Sequence, residues 1–176
     1  MSADISDLER RRGFDTLVRE LRPELYRFAF WLSRSRQVAE DVVQEALLRA
    51  WKAYGDLRDP DSAKQWLVAI VRREHARVYE RRRLETVDLA TYEEEIPASA
   101  NDPDLERMRR AIFQLDDGYR EPLVLQVLLG HSTREIAELT GLTEATVLTR
   151  LHRARNRLKQ ALSMPDDSTR RDGGTT

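Results

Sequence analysis

Apolar residues recur at three- and four-residue intervals along most of this chain, and that period predicts helices almost throughout. In the first segment the stripe is Phe14, Leu17, Val18, Leu21, Leu25, Phe28, Ala29 and Leu32, with Phe30 and Trp31 widening it. Aromatics at this spacing are expected in a core. Pro23 stands inside the stripe, and its fixed φ suits the first turn of a helix, so the segment is expected to divide there. From Ala39 onward, Val42, Val43, Ala46, Leu47, Ala50 and Tyr54 gather on one side of a helical wheel. Asp41, Gln44, Glu45, Leu48 and Lys52 fall opposite, as an acidic surface with one leucine.

Residues 55–63 read as a loop by their Gly, Asp and Pro content. The helix that follows from Ser62 puts Trp66, Leu67, Ile70, Val71 and Val78 on its apolar face and Arg72, Arg73, Arg77, Arg81 and Arg82 around the rest. Tyr79 is expected to pack at the helix end. The period then lapses. Residues 85–104 carry two prolines, small residues and acids without a base, the composition of a flexible, self-repelling linker.

A second helical module begins near Leu105, with Met108, Ala111, Ile112 and Leu115 on one face and a turn expected at Asp116, Asp117 and Gly118. Pro122 is expected in the first turn of a nearly all-apolar helix over 123–129, which Gly130 closes. The next stretch, Ser132 to Leu162, is two helices and a tight turn. Ser132 and Glu135 have the spacing of a capping box, Gly141 suits the left-handed position past a helix end, and Thr143 suits an N-cap. Ile136, Ala137, Leu142, Val147 and Leu151 are spaced to meet where two helices cross steeply, which makes the unit a candidate helix-turn-helix.

Charge adds a reason to assign DNA to that unit. Arg150, Arg153, Arg155, Arg157 and Lys159 follow one another with no intervening acid, whereas a merely solvated helix face mixes signs. The net charge of −1 conceals this, because bases and acids are sorted into separate segments. An apolar content of 40% supports a packed core, and 35% charged residues with 7 glycines and 6 prolines favour a helix-rich fold.

The chain has no cysteine, which excludes disulfides and thiolate chemistry and suits a reducing compartment. No apolar run reaches the roughly 20 residues of a membrane span, and the first residues lack a signal-peptide core, so a cytoplasmic protein without membrane insertion is expected. There is no phosphate-binding glycine loop, no HExxH and no GxSxG. His75, His131 and His152 are scattered; His75 and His152 are expected on polar helix faces and His131 in a turn. Neither a metal, a cofactor nor an enzyme is expected.

Three stretches together resemble the bacterial RNA polymerase sigma factors of the extracytoplasmic-function (ECF, group IV) type: AEDVVQEALLRAW, WLVAIVRREHARVYERRR, and YREPLVLQVLLGHSTREIAELTGLTEATVLTRLHRARNRLKQAL. The resemblance implies an all-α protein with an N-terminal sigma domain over 8–84, the acidic linker over 85–104, a C-terminal helix-turn-helix domain over 105–164 and a disordered tail over 165–176. It implies that Asp41, Gln44, Glu45 and Leu48 hold core RNA polymerase at its β′ clamp coiled coil, with the β flap as a second contact. It assigns Asp56, Arg58, Asp61, Ser62, Lys64, Arg72, Arg73, Arg77 and Arg81 to the −10 promoter element and to an extruded base. Glu144, Thr146, Leu148, Thr149 and Arg150 would lie nearest the bases of the −35 element, with Arg153 and Arg155 nearer phosphates. A dissociable anti-sigma factor is the remaining implied partner.

Three residues depart from the family pattern. Arg73 stands where Asn is frequent, Leu148 replaces a commonly polar residue, and Asp116 stands where Pro is favoured. The competing expectation is a polymerase-independent helix-turn-helix regulator, which would need an apolar dimer seam in place of the acidic strip on the Ala39–Tyr54 helix.

Overall fold

The computed structural model describes residues 2–57, 59–84 and 102–163, apart from the side chains of 2–7 and 82–84. Most of the linker, Arg58 and the 165–176 tail lie outside the described residues. Those described form seven α-helices: α1 (Ser2–Ser33), α2 (Arg36–Ala53), α3 (Ala63–Leu84), α4 (Pro103–Phe113), α5 (Asp117–Leu129), α6 (Thr133–Thr140) and α7 (Glu144–Ser163). Two short 3₁₀ turns, Tyr54–Asp56 and Pro60–Ser62, lie between α2 and α3. The all-α reading holds.

α1 does not divide at Pro23, which lies inside one continuous helix. An internal proline costs about 3 kcal/mol by removing one donor and crowding the preceding turn. Packing on both sides of the residue offsets that cost. Phe14 meets the rings of Trp51 and Tyr54 at 5.3 and 5.1 Å, while Leu25, Phe28 and Ala29 are fully buried beyond Pro23. Gly13 permits the close approach, since a Cβ there would stand 2.9 Å from the Tyr54 hydroxyl. Arg34, in left-handed conformation at φ 60°, turns the chain, and Ser35 caps α2 by accepting from the Val38 amide.

α2 lays Val38, Ala39, Val42, Val43, Ala46 and Ala50 against α1 and α3, and α3 returns Leu67, Val68, Ile70 and Val71 to the same core. The second module is built around α5, whose Leu123, Val124, Leu125 and Leu129 are buried against α7 and α6. α4 starts two residues before the expected Leu105, because the Asp102 carboxylate accepts from the amides of Asp104 and Leu105. α5 also starts early. Its turn covers 114–116, so Asp117 and Gly118 belong to the helix and Pro122 sits in its second turn. The Gly118 carbonyl, deprived of the Pro122 donor, accepts from Arg150 Nη1 at 3.4 Å.

The two modules pack on each other and share one continuous set of buried residues. Phe113, at the end of α4, packs against both Phe30 and Trp31 of α1, with ring centroids at 5.6 and 4.7 Å. Beside it Arg120 is only 2% exposed. It donates to the carbonyls of Phe113 and Leu115 after α4 and to that of Leu32 at the end of α1, and it pairs with Asp117. A cation placed at two helix C-termini meets the negative end of both dipoles.

Candidate nucleic-acid interface

The helix-turn-helix forms as its caps require. Ser132 accepts from the Glu135 amide while the Glu135 carboxylate accepts from the Ser132 amide at 2.7 Å. Those bonds from Ser132 hold the Glu135 carboxyl below the usual range. Gly141 closes α6 at φ 71°, where a side chain would be strained, and the Thr146 amide donates to Thr143 Oγ1 at the start of α7. Ile136, Ala137, Val147 and Leu151 are buried where the helices cross, with Leu142 half-buried.

This crossing turns a defined row of α7 outward. Glu144, Leu148, Thr149, Arg153 and Arg155 are exposed, and Thr146 and Arg150 are half-buried beside them. A cleft of about 510 Å³ runs along the row, lined by Thr146, Thr149, Arg150 and Arg153 from α7 and by Gly118 and Tyr119 from α5. Further along, the helix is not uniformly free: Arg155 donates to Gln126, and Arg157 lies over the Tyr119 ring and pairs with Asp116. The first half of α7 is therefore the part most open to a groove, and Arg155 beyond it is exposed with one donor on Gln126.

The second basic surface lies on α3. Ser62, Gln65, Trp66, Ala69, Arg72 and Arg73 line a cleft of about 320 Å³ beside the turn that carries Asp61. Asp59 orders this turn by accepting from the Asp61 amide at 3.0 Å. Asp56, Arg73, Arg77 and Arg81 are exposed, as is Tyr79. Lys64 is held in an ion pair with Glu24 of α1 at 2.8 Å. Arg72 donates through Nε to Glu121 of α5 at 2.6 Å. Glu138 and Leu139 of α6 complete the rim of the cleft, and Gln65 donates to Glu138.

The acidic strip is brought together as the wheel expected, with Asp41, Gln44, Glu45 and Leu48 all exposed on α2. Gln44 and Leu48 border a groove of about 650 Å³ whose floor includes Phe14, Val43 and Trp51. Arg49 bridges Glu45 and the buried Glu74 at 3.0 and 2.9 Å, and Arg77 also reaches Glu74.

His75 departs from expectation. It turns toward the second module, where burial first, and then the charges of Arg120 and Arg72, depress its pKa to about 4 against the opposing pull of Asp117. His131 is in a turn as expected but is buried, and burial lowers its pKa too. Arg120, Glu121 and Glu138 were not singled out by sequence reasoning. In sequence they look like ordinary charged residues of helix surfaces, and only the i,i+3 spacing of Asp117 and Arg120 hinted at pairing. Among the described residues no cluster of His, Asp and Glu is placed to hold a metal ion, and no helix is long and apolar enough to cross a membrane.

A family model described as sigma-70 region 2 matches residues 17–85, and one described as sigma-70 region 4 matches residues 105–158. The sequence is 31% identical over 159 residues to the ECF RNA polymerase sigma factor EcfG of Rhodopseudomonas palustris strain TIE-1, covering 84% of this chain and 88% of that relative. The chain belongs to the ECF sigma factors of the sigma-70 family. As a sigma factor it directs transcription by RNA polymerase. The region 2 match of this sigma factor runs from within α1 through α3, and the region 4 match from α4 into α7, so the α7 cleft lies within region 4 while the α3 cleft is walled by region 2 and rimmed by Glu138 and Leu139 of region 4.

Two solved structures superpose on most of the chain. The sigma factor RpoE in complex with the anti-sigma factor NepR from Bartonella quintana superposes with a TM-score of 0.73 at 29% identity, covering 86% of this chain and 98% of that one. CnrH in complex with the cytosolic domain of CnrY gives a TM-score of 0.64 at 29% identity, over 86% and 88% of the two chains.

Proposed function

We propose that this sigma factor grips core RNA polymerase through Asp41, Gln44, Glu45 and Leu48 on α2 and touches promoter DNA at two places. At the −10 element, Asp56, Arg58, Asp61, Ser62, Lys64, Arg72, Arg73, Arg77 and Arg81 hold the opened strand. Extruding a base costs a few kcal/mol of unstacking, and the cleft beside Trp66 offers the polar and aromatic walls that offset it. At the −35 element the first half of α7 enters the major groove. Glu144, Thr146, Leu148, Thr149 and Arg150 face base edges there, Leu148 being suited to a thymine methyl, while Arg153 and Arg155 meet phosphates.

One observation carries the reading: the capped crossing of α6 and α7 exposes Glu144, Leu148, Thr149 and Arg153 as one row while burying Val147 and Leu151 behind it. Both structural relatives named above were solved with a bound partner, in one case named an anti-sigma factor, and a partner of that kind is assigned to this chain. The protein works in the cytoplasm with the polymerase and has no catalytic role of its own.

Run-off transcription with core polymerase and a promoter library tests the proposal. Wild-type protein is expected to yield promoter-specific transcripts that Asp41→Ala and Arg153→Ala each reduce severalfold. Absence of any specific transcript with the wild-type chain overturns it.

A further inference from the structure

Asp116 holds the N-cap position of α5, yet its side chain makes no cap bond to the helix. An N-cap aspartate usually accepts from one of the first free amides. Here the carboxylate is turned to α7 instead, where it pairs with Arg157. The same guanidinium lies over the Tyr119 ring, 4.4 Å from its centroid. Arg157 is thus engaged twice from α5, by a carboxylate and by a ring face.

The position of Arg157 on α7 gives that engagement a consequence. At 3.6 residues per turn, Thr146, Arg150, Arg153 and Arg157 fall within an arc of about 60°. The first three line a cleft against Gly118 and Tyr119, so this row is the flank of α7 that faces α5. A helix about 10 to 12 Å across fills a major groove about 12 Å wide, and its flanks then run beside the two phosphate backbones. Arg157 stands one turn beyond Arg153, the residue assigned to a phosphate, with its own charge already answered. The neighbouring Asp117 is drawn away to Arg120 and Arg34, which leaves Asp116 as the carboxylate of that pair directed at this flank.

We propose that Asp116 withholds Arg157 from the promoter backbone and so sets the strength of the −35 contact. A carboxylate and a phosphate compete for the same guanidinium donors, and the intramolecular carboxylate is already in place. The pair trims the sequence-independent part of the affinity of α7 and leaves the base-edge residues Glu144, Leu148 and Thr149 untouched. The withholding rests on the assignment of α7 to the −35 element.

Binding of a labelled random-sequence 20-base-pair duplex by the full chain, followed by fluorescence anisotropy over a salt series, tests it. Asp116→Asn is expected to bind about fivefold tighter at low salt, with a slope steeper by about 0.9 for one added phosphate contact. In an Arg157→Gln background the same substitution is expected to change the slope by less than half as much. Asp104→Asn removes an exposed carboxylate from α4 and is expected to leave affinity and slope unchanged. Asp116→Ser is expected to repeat Asp116→Asn, and a thermal scan of each variant shows that the fold is kept.

Equal or weaker binding by both Asp116 variants overturns the withholding, weaker binding making Asp116 a residue that positions Arg157 for DNA. A full slope change without Arg157, or an equal gain from Asp104→Asn, overturns it as well, because the effect is then one of net charge. Each of these outcomes leaves the −35 reading intact. Binding by Arg153→Ala that matches wild type in affinity and slope takes α7 off the duplex, and the −35 reading falls together with the withholding.

Discussion

Arg120 donates through Nη2 to the main-chain oxygen of Leu32, 3.2 Å away and 88 residues earlier in the chain. The same guanidinium satisfies the Leu115 oxygen at 2.8 Å, so one side chain terminates α1 and orders the α4–α5 turn. Arg120→Ala leaves the Leu32 carbonyl without its side-chain donor, and the Leu115 carbonyl with only Arg34 Nη2 at 3.4 Å, inside a closed interface, at about 1 to 3 kcal/mol for an unsatisfied group. For a chain of this size about 3 kcal/mol lowers Tm by roughly 6 to 12 °C, which a calorimetric scan would read.

On α7, Leu148 and Arg153 are both exposed but should fail differently. Leu148→Ala is expected to relax preference at one base pair, costing about 1 kcal/mol against the preferred duplex with no change in salt slope. Arg153→Ala is expected to weaken all duplexes alike and reduce the slope by about 0.9. Fluorescence anisotropy over a salt series with single-base duplex variants separates the two.

Asp41 and Leu48 project from α2 without contributing to the core. Asp41→Ala and Leu48→Ala are therefore expected to move stability by no more than about 0.5 kcal/mol. Each should nonetheless weaken capture of core polymerase about tenfold in a competition assay. A fall in polymerase affinity accompanied by a matching fall in Tm would assign these residues to the fold.

Acid should loosen the association of the modules. His75 is neutral in the packed state, its pKa lowered from 6.5 to about 4, so the unfolded or opened chain binds the proton first as pH falls. Stability from this group is complete above pH 6.5 and is lost progressively between 6.5 and 4. The charged groups facing it are Asp117, Arg120 and Arg72. Thermal scans from pH 7.5 to 4.5 should show a decline that His75→Gln flattens.

The helices and their caps could be read from the sequence because their causes are local. Ser132, Glu135, Gly141 and Thr143 each act within four residues of their own position. The exposed strip on α2 was legible for the same reason, since a wheel needs only the period of one helix. Pro23 and Pro122 misled because their consequences are settled elsewhere: by Phe14 meeting Trp51 and Tyr54 in one case, and by Arg150 covering the Gly118 carbonyl in the other. The pairing of Arg72 with Glu121 was beyond reach. Both residues read as solvated charges until α3 and α5 are laid side by side.

A chain of alternating charge links the surfaces of α2 and α3: Glu45, Arg49, the buried Glu74 and the exposed Arg77. It clamps the outer face of one helix to the flank of the next, so α2 and α3 move as a single bracket. Whatever seizes α2 from outside thereby fixes the bearing of α3, much as a vice on one arm of a square sets the line drawn along the other. Under the proposed assignments, the point at which a strand is engaged is then set by where the chain is held.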